Sequence, residues 1–328
     1  MSKTIITAAL TGAVTPAGYN SPETPEKIAE DAYACWKAGA AIVHLHMRDE
    51  QGLGTMDAAR FKKTIELIRA HEDCDVVINC TSSGDNRVSG GDPAGNAIRM
   101  LHMRTVDGIE MGSYDAGSFN WMPSGVFMNT PQFLQELGDV YMERGIKPEF
   151  EIFDTGMLDI VNYYVKKGHL PAGSCHYQFC LGVLGGMPAT VENLLYLKNH
   201  IPAGSTWSAF GVGAGHLPIL YATLALGGNV RVGMEDNVVY GRNPDGSKIM
   251  ATNLMLVQRA ANAVKAFGNE VATPAEAREM LGLKPLDHEA VCAALDAVKV
   301  EDLEKAKQGV KDEFGGPYFA AAGMGAKK

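Results

Sequence analysis

The feature that most narrows the fold of this chain is an alternation. Short β-branched runs and longer amphipathic runs follow one another eight times, with little between them. The runs at 4–10, 41–47, 75–80, 107–111, 148–153, 176–181, 205–210 and 229–233 read as strands. Those at 24–38, 57–70, 93–104, 131–144, 156–167, 190–199, 216–226 and 252–267 read as helices. The strand runs are almost continuously apolar, as in a parallel sheet whose outer face is covered by helices. Eight such units predict an α/β fold, a (β/α)8 TIM barrel, with its active site at the C-terminal ends of the strands. A doubly wound open sheet is the competing topology. However, "TAALTGAVTP" after the first strand lacks the glycine fingerprint of a dinucleotide-binding turn. Pro25 falls in the first turn of the first helix, where a missing N–H costs nothing, and Gly39 stops that helix.

Residues 273–328 leave the repeat. "TPAEAREMLGL" predicts a short helix behind a Thr-Pro cap, and the rest predicts one or two amphipathic helices and a mobile Gly/Ala/Lys tail. The expected division is a catalytic barrel at 1–284 and a C-terminal helical extension at 285–328. Such an appendage is expected to pack on a neighbouring subunit of a homo-oligomer.

Charge and composition remove whole classes of function. The chain carries 29 basic and 38 acidic side chains, a formal net charge of -9, with no Lys/Arg run before its last residues. A nucleic-acid partner is therefore not expected. No apolar run approaches the ~18 residues that a membrane span needs. The apolar part of "MSKTIITAAL" is too short for a secretory leader. Cys35, Cys74, Cys80, Cys175, Cys180 and Cys292 form no CxxC pair, so a cytoplasmic location is expected.

Chemistry concentrates at the strand ends. In "IVHLHMRD", 42–49, His44 and His46 lie two apart and share one face of a strand. Two imidazoles buried against helices would need partners for both ring nitrogens; at the mouth of a barrel they can share a cation. The end of strand eight, "RVGMEDN", offers Glu235 and Asp236 as a third ligand. Two His and one carboxylate make a three-ligand catalytic zinc site with an open position. Other divalent ions accept the same donors, and an acidic pair after a strand also serves as a helix cap or solvated turn.

Arg231, in the same strand, needs a partner if buried. Glu149 and Glu151, on one face of strand five, can compensate it or hold the second nitrogen of a ligating His. Glu149 also reads as a bottom-face ion pair. Thr81, Ser82, Ser83 and Gly84 in "NCTSSGD" suit a carboxylate or oxyanion, or form an ordinary ST-turn. "MGSYDAGSFN", 111–120, reads as a similar loop after strand four. Gly211, Gly213 and Gly215 in "AFGVGAGHLP" precede a helix near His216, where barrels commonly hold a phosphate. These residues describe a barrel enzyme with one divalent metal and a phosphate-bearing cosubstrate, acting on a carbonyl. Hydrolysis, aldol cleavage and acyl exchange all remain open, as does a non-catalytic binder of an acyl-CoA.

Taken together, "TAALTGA", "AGAAIVHLHMRD", "NCTSSG", "PEFEIFDTGM", "QFCLGVLGGMPA", "FGVGAGHLP" and "RVGMEDN" resemble, in the same order, the β-keto acid cleavage enzymes, over about residues 4–281. The resemblance implies a TIM barrel, usually a homotetramer, with one Zn2+ per chain. It implies exchange of acyl groups between a β-keto acid and acetyl-CoA as cosubstrate, giving acetoacetate and a new acyl-CoA. Carried onto this sequence, it makes His44, His46 and Glu235 the metal ligands and Asp236 the general base held by Arg231. Thr81 is the hydroxyl beside the base, with Ser82 adjacent, and Ser113 and Glu151 are further active-site positions. Two departures stand out. Val14 replaces a glutamate that holds the ammonium group of 3-keto-5-aminohexanoate in the enzyme acting on it, so a substrate chain without that charge is expected. Ser83 stands where the family more often has glycine.

Overall fold

The computed structural model describes residues 2–13, 19–84, 91–123, 125–173, 175–315 and 318–319. Eight parallel strands close into a barrel: β1 Ile6–Ala9, β2 Ile42–Leu45, β3 Val77–Cys80, β4 Met111–Asp115, β5 Lys147–Ile152, β6 His176–Leu181, β7 Thr206–Gly211 and β8 Asn229–Val232. Each pairs with the next, and β8 returns to β1 with Arg231 opposite Thr7. Helices cover the outside: α1 Pro25–Lys37, α2 Ala58–Arg69, α3 Pro93–Thr105, α4 Pro131–Arg144, α5 Gly156–Lys167, α6 Val191–His200, α7 His216–Ala225 and α8 Asn253–Ala266. This is the (β/α)8 barrel that the alternation predicts.

Local chemistry sets where the loops at the active face end. Thr24, Asp57, Asp92, Thr130, Thr190 and Thr252 each accept a first-turn backbone N–H at a helix start, and Pro25, Pro93 and Pro131 follow three of them. Each such cap contributes about 1 kcal/mol and fixes the helix entry.

The fourth strand lies later than its apolar run indicates. It spans Met111–Asp115, whereas 107–110 lead into it. Glu110 there is held outside the barrel by Arg278 (2.6 and 2.9 Å) and Arg69 (3.2 Å). The strand itself reads "MGSYD", so its lumen-facing polar residues break the apolar pattern. Gly112 allows the close approach: a Cβ there would meet the Tyr141 hydroxyl at 2.5 Å.

The pleat divides each strand between two environments. Val43, Leu45, Ile78, Tyr114, Phe150 and Phe179 pack between barrel and helices. The alternate residues fill the lumen in two layers. Ile5, Ile42, Val77 and Met111 form an apolar floor, closed from below by Ala272 and by Ala277 and Leu281 of α9, Pro274–Leu281. Full burial of each large apolar side chain there contributes about 1.5–3 kcal/mol. Above that floor the lumen is polar. Asn79 donates to Glu149 (2.8 Å), His176 lies 3.5 Å from Glu149, and Ser208 donates to Gln178. Buried polar groups add cost rather than stability unless bonded, so this layer points upward to the site it supports.

Helices α10, His288–Ala297, and α11, Val300–Phe314, pack against α2 and α3 of the same chain. Leu295 and Leu303 are buried there, and His288 Nε2 lies 2.9 Å from the Arg69 carbonyl. The extension thus lies on its own barrel, because its apolar side chains fit the α2–α3 surface. The tail expected to be mobile, 320–328, lies outside the described residues. No helix among those described is long and apolar enough to cross a membrane.

Candidate active site

His44 and His46 both reach the upper lumen, as their spacing predicts, and meet Glu235 from the far end of the sequence. The two Nε2 atoms are 3.1 Å apart, and Glu235 Oε1 lies 3.7 Å from His44 Nε2 and 3.4 Å from His46 Nε2. Zinc bonded at about 2.0–2.1 Å in tetrahedral geometry spaces its donors about 3.3 Å apart. The three donor atoms therefore already stand at cage distances, and Glu235 Oε2 and His44 Nδ1 are buried without hydrogen-bond partners. The residues present fit a divalent ion. Burial lowers His44 to about 4, against the pull of Glu235, and so keeps its imidazole neutral. Burial works against charge on Glu235, but His46, Arg231 and His44 outweigh it and hold the carboxyl well below the usual range. His44 also approaches Glu149 and Glu151, a second group with metal-ligand spacing.

The carboxylate that follows is held differently. Arg231, 2% exposed, donates to Asp236 through Nε (3.1 Å) and Nη2 (3.0 Å), to Glu235 (2.6 Å) and to Glu151 (2.9 Å). Burial costs the guanidinium, but Asp236, Glu235 and Glu151 outweigh that cost and keep it charged. Asp236 is lifted to about 6 by burial, with Arg231 opposing. Glu151 and Asp115 are hydrogen-bonded to each other, and burial raises both, most strongly Glu151.

The turn carrying the acidic pair is tightly wired. Gly233 has φ 154, and any Cβ would strike the Ala9 carbonyl, to which the Glu235 N–H donates (3.2 Å). Asn253 accepts from the Met234 N–H (2.7 Å) and donates to the Leu10 carbonyl (2.9 Å). On the other side, Asn237 bonds the Gly213 N–H (2.8 Å) and the Gly211 carbonyl (2.9 Å).

A cavity of about 620 Å³ opens over these residues. Thr81, Ser83, Gly84, Ser113, Glu151, Arg231 and Asp236 line it together with the cage. Ser82 stands behind this wall: its hydroxyl donates to the Ser113 carbonyl (2.7 Å) and its N–H to the Ser113 hydroxyl (3.1 Å). Ser82 therefore braces β3 against β4. The Thr81 hydroxyl donates to Ser83 Oγ (2.9 Å) and accepts from the Ser83 N–H (3.0 Å), the ST-turn arrangement, with both side chains on the cavity.

Gly211, Gly213 and Gly215 do not line the cavity; Phe210 and Val212 do. Packing accounts for two of them, since a Cβ at Gly211 would strike the Gly215 carbonyl and one at Gly215 would strike Ala189. Gly213 makes the turn at φ 63. Val14 lies outside the described residues; its neighbours Gly12 and Ala13 are on the rim.

Several lining residues escaped sequence reading. Asp115 follows Ser113 by two and faces the lumen with it, which a correct position for β4 would have indicated. Trp121 and Phe127 sit on a hairpin, Phe119–Trp121 with Gly125–Phe127, inserted after β4. Phe119 stacks on Phe153, Trp121 lies tilted against it and Phe127 meets Phe119 and Trp121 edge-on, forming an aromatic wall, and nothing local in the sequence directs them inward.

A closed parallel barrel with a His-His-Glu donor set, a buried acid–arginine pair and an open cavity at its strand ends defines a TIM-barrel enzyme. Comparison with known proteins specifies which kind. The chain belongs to the β-keto acid cleavage enzyme family, whose profile matches residues 3–283. It is 38% identical to the 3-keto-5-aminohexanoate cleavage enzyme of Fusobacterium nucleatum over 87% of this chain and 99% of that one. It is 34% identical to the 3-dehydrocarnitine:acetyl-CoA trimethylamine transferase of Rhizobium meliloti, over 85% and 96% of the two chains. It is 31% identical to the 3-oxoadipate:acetyl-CoA acetyltransferase of Cupriavidus necator, over 86% and 96%. Among solved structures, apo ObcA shares the fold with a TM-score of 0.70 at 20% identity over 80% of this chain, which spans 65% of ObcA's length.

Proposed function

We propose that this enzyme is zinc-dependent and exchanges acyl groups between a β-keto acid and acetyl-CoA, giving acetoacetate and a new acyl-CoA. The observation that carries the reading is the trio of donor atoms on His44, His46 and Glu235, 3.1–3.7 Å apart, directly beside the Asp236–Arg231 pair. Zinc bound there would supply Lewis acidity, polarising the keto group and acidifying the carbon between it and the carboxylate.

The rest falls to the chain's own residues. Asp236, oriented by two bonds from Arg231, removes the proton from that carbon. The resulting enolate attacks the thioester carbonyl of acetyl-CoA, releasing CoA thiolate. The thiolate then adds to the original ketone, and carbon–carbon cleavage gives the new acyl-CoA and the enolate of acetoacetate, which takes the proton back from Asp236. Thr81, Ser83 and Gly84 receive the substrate carboxylate, and Ser113 faces the developing alkoxide. Glu151 fixes Arg231. For the CoA diphosphate we propose the rim of the Gly211–Gly215 loop, where α7 begins.

The substrate chain carries no ammonium group near Val14. Among the described residues, the acids lining the cavity are Asp115, Glu151, Glu235 and Asp236. All belong to the cage or to the Arg231 network, and a buried cation elsewhere would go unpaired. The relatives named above are named for substrates with cationic and anionic chains. We assign the catalytic unit to 1–284 and the extension to 285–328. We also assign a cytoplasmic homotetramer. Free cysteines support that compartment, and exposed Val191, Leu195 and Tyr196 on α6 with Leu217 and Tyr221 on α7 support self-association.

The test combines metal analysis of the purified protein with a screen of β-keto acids plus acetyl-CoA, detecting acetoacetate and the new thioester. One zinc per chain and strict dependence on acetyl-CoA are expected. Cleavage of the keto acid without acetyl-CoA would replace this reading with a hydrolase or aldolase.

A further inference from the structure

Arg99, on α3, is a buried cation that the chemistry above leaves unused. It is 1% exposed. Its Nε donates to the Ser82 carbonyl (2.8 Å), Nη1 to the Met128 carbonyl (3.1 Å) and Nη2 to Asn129 Oδ1 (2.5 Å), and its guanidinium lies 3.7 Å from the Phe133 ring centroid. All three acceptors are neutral, and among the described residues Arg99 has no carboxylate at ion-pair distance. A guanidinium buried without a counter-ion is costly. Burial pulls it down to about 10, against the pull of Asp115, so it stays charged at neutral pH.

Its position explains the cost. A Cβ on Gly84 would lie 3.2 Å from Arg99 Cδ and 3.4 Å from Nε. The guanidinium therefore sits immediately behind the Thr81–Gly84 loop, on the side away from the cavity. The cavity floor in front of that loop already holds Asp115, Glu151, Glu235 and Asp236 against Arg231. An anionic substrate entering it passes these carboxyl groups, and a second buried guanidinium behind the loop adds its attraction to that of Arg231 and of the ion the cage would hold.

We infer that Arg99 is a positioning residue for substrate charge: it moors the Thr81–Gly84 loop and makes it selective for a carboxylate over an uncharged group of the same shape. The inference rests on the proposed function in placing the keto acid's carboxylate at this loop. Arg99 touches no ligand. It acts through the Ser82 carbonyl that it holds and through its field, which is weakly screened at a buried site.

The test uses the full-length protein with its bound metal, and two probes of one skeleton: acetoacetate, an anion, and methyl acetoacetate, its uncharged ester. Dissociation constants are measured by calorimetry on the wild type, Arg99→Gln and Arg99→Lys. Gln keeps a planar donor for Ser82 but removes the charge; Lys keeps the charge. Arg99→Gln is expected to weaken acetoacetate by about tenfold or more and the ester by less than about threefold, with the acetyl-CoA KM unchanged. Arg99→Lys is expected to return acetoacetate to within about threefold of wild type. Equal losses for anion and ester, or a Lys variant as weak as the Gln variant, would show a purely structural mooring and overturn the inference. So would failure of both variants to fold, or a wild type that binds the two probes alike. A wild type that prefers acetoacetate but forms none from any keto acid with acetyl-CoA would defeat the proposed function instead, and the probe comparison would still decide the role of Arg99.

Discussion

Asp236→Asn separates chemistry from architecture, because its structural cost can be worked out in advance. Asp236 accepts two bonds from Arg231, at 3.0 and 3.1 Å. An asparagine retains one oxygen and turns an amide toward the other donor, losing one charge-assisted bond of about 1.5–3 kcal/mol. Against this, burial lifts the Asp236 carboxyl to about 6 even with Arg231 opposing, so the neutral amide is spared the cost of burying a charge. The two effects oppose each other. The variant is expected to fold with a melting temperature within a few degrees of wild type. It is also expected to keep one metal per chain, since Asp236 is not among the three cage donors. Turnover, in contrast, is expected to fall by about 10²-fold or more, at least about 2.7 kcal/mol on the barrier, the scale of a lost general base. The assay is acetoacetate formation from acetyl-CoA and keto acid, with metal content and melting measured on the same sample. The base is active when deprotonated, so wild-type kcat should fall as pH drops through about 6, or lower where a cation in the adjacent cage favours the carboxylate. The variant should lack that limb. Near-full activity, or loss of metal together with activity, would refute the assignment.

Other perturbations have equally definite outcomes. His46→Ala removes one of three donors, so metal and activity should vanish together; affinity measured against a competing chelator should drop by more than the ~100-fold typical of losing a mere supporting partner. Chelation of the wild type should lower its melting temperature, because an ion that binds only the folded state contributes about 4 kcal/mol at a thousandfold excess over its Kd. Val14→Glu should shift preference toward amino-bearing keto acids in a kcat/KM comparison, and an unchanged ratio would mean that residue 14 does not face the substrate chain. Gly233→Ala places a methyl group against the Ala9 carbonyl at φ 154; chemical denaturation should show a loss of about 1–3 kcal/mol or more, with weaker metal binding because the Glu235 turn is displaced.

Much of this protein was legible as pattern. The period of two set His44 and His46 on one face, and the closure of eight strand–helix units put the end of strand eight one strand away from strand two, so two imidazoles and an acidic pair were expected to meet; that Glu235 rather than Asp236 completes the trio came from the family resemblance. The position of β4 was not. "MGSYD" is a buried strand whose lumen side is polar, and an apolar-run criterion slides past it to "DGIEM", which took Asp115 out of view. Ser82 and the three glycines also carry structural roles that residue type alone did not show. Their residue types suited a ligand, but Ser82 bonds Ser113 across the sheet, and Gly211 and Gly215 are required by contacts with residues near in space.

Topology, helix limits and the shared face of His44 and His46 follow from forces that act locally or periodically along the chain: capping, pleat and burial of an apolar face. The grouping of carboxylates around Arg231, the burial of Arg99 among neutral hydrogen-bond acceptors and the folding of Phe119 and Trp121 over Phe153 depend on which side chains share one small low-dielectric space. That is settled only when distant segments meet, because neither desolvation nor the field of a neighbouring charge is a property of any residue alone.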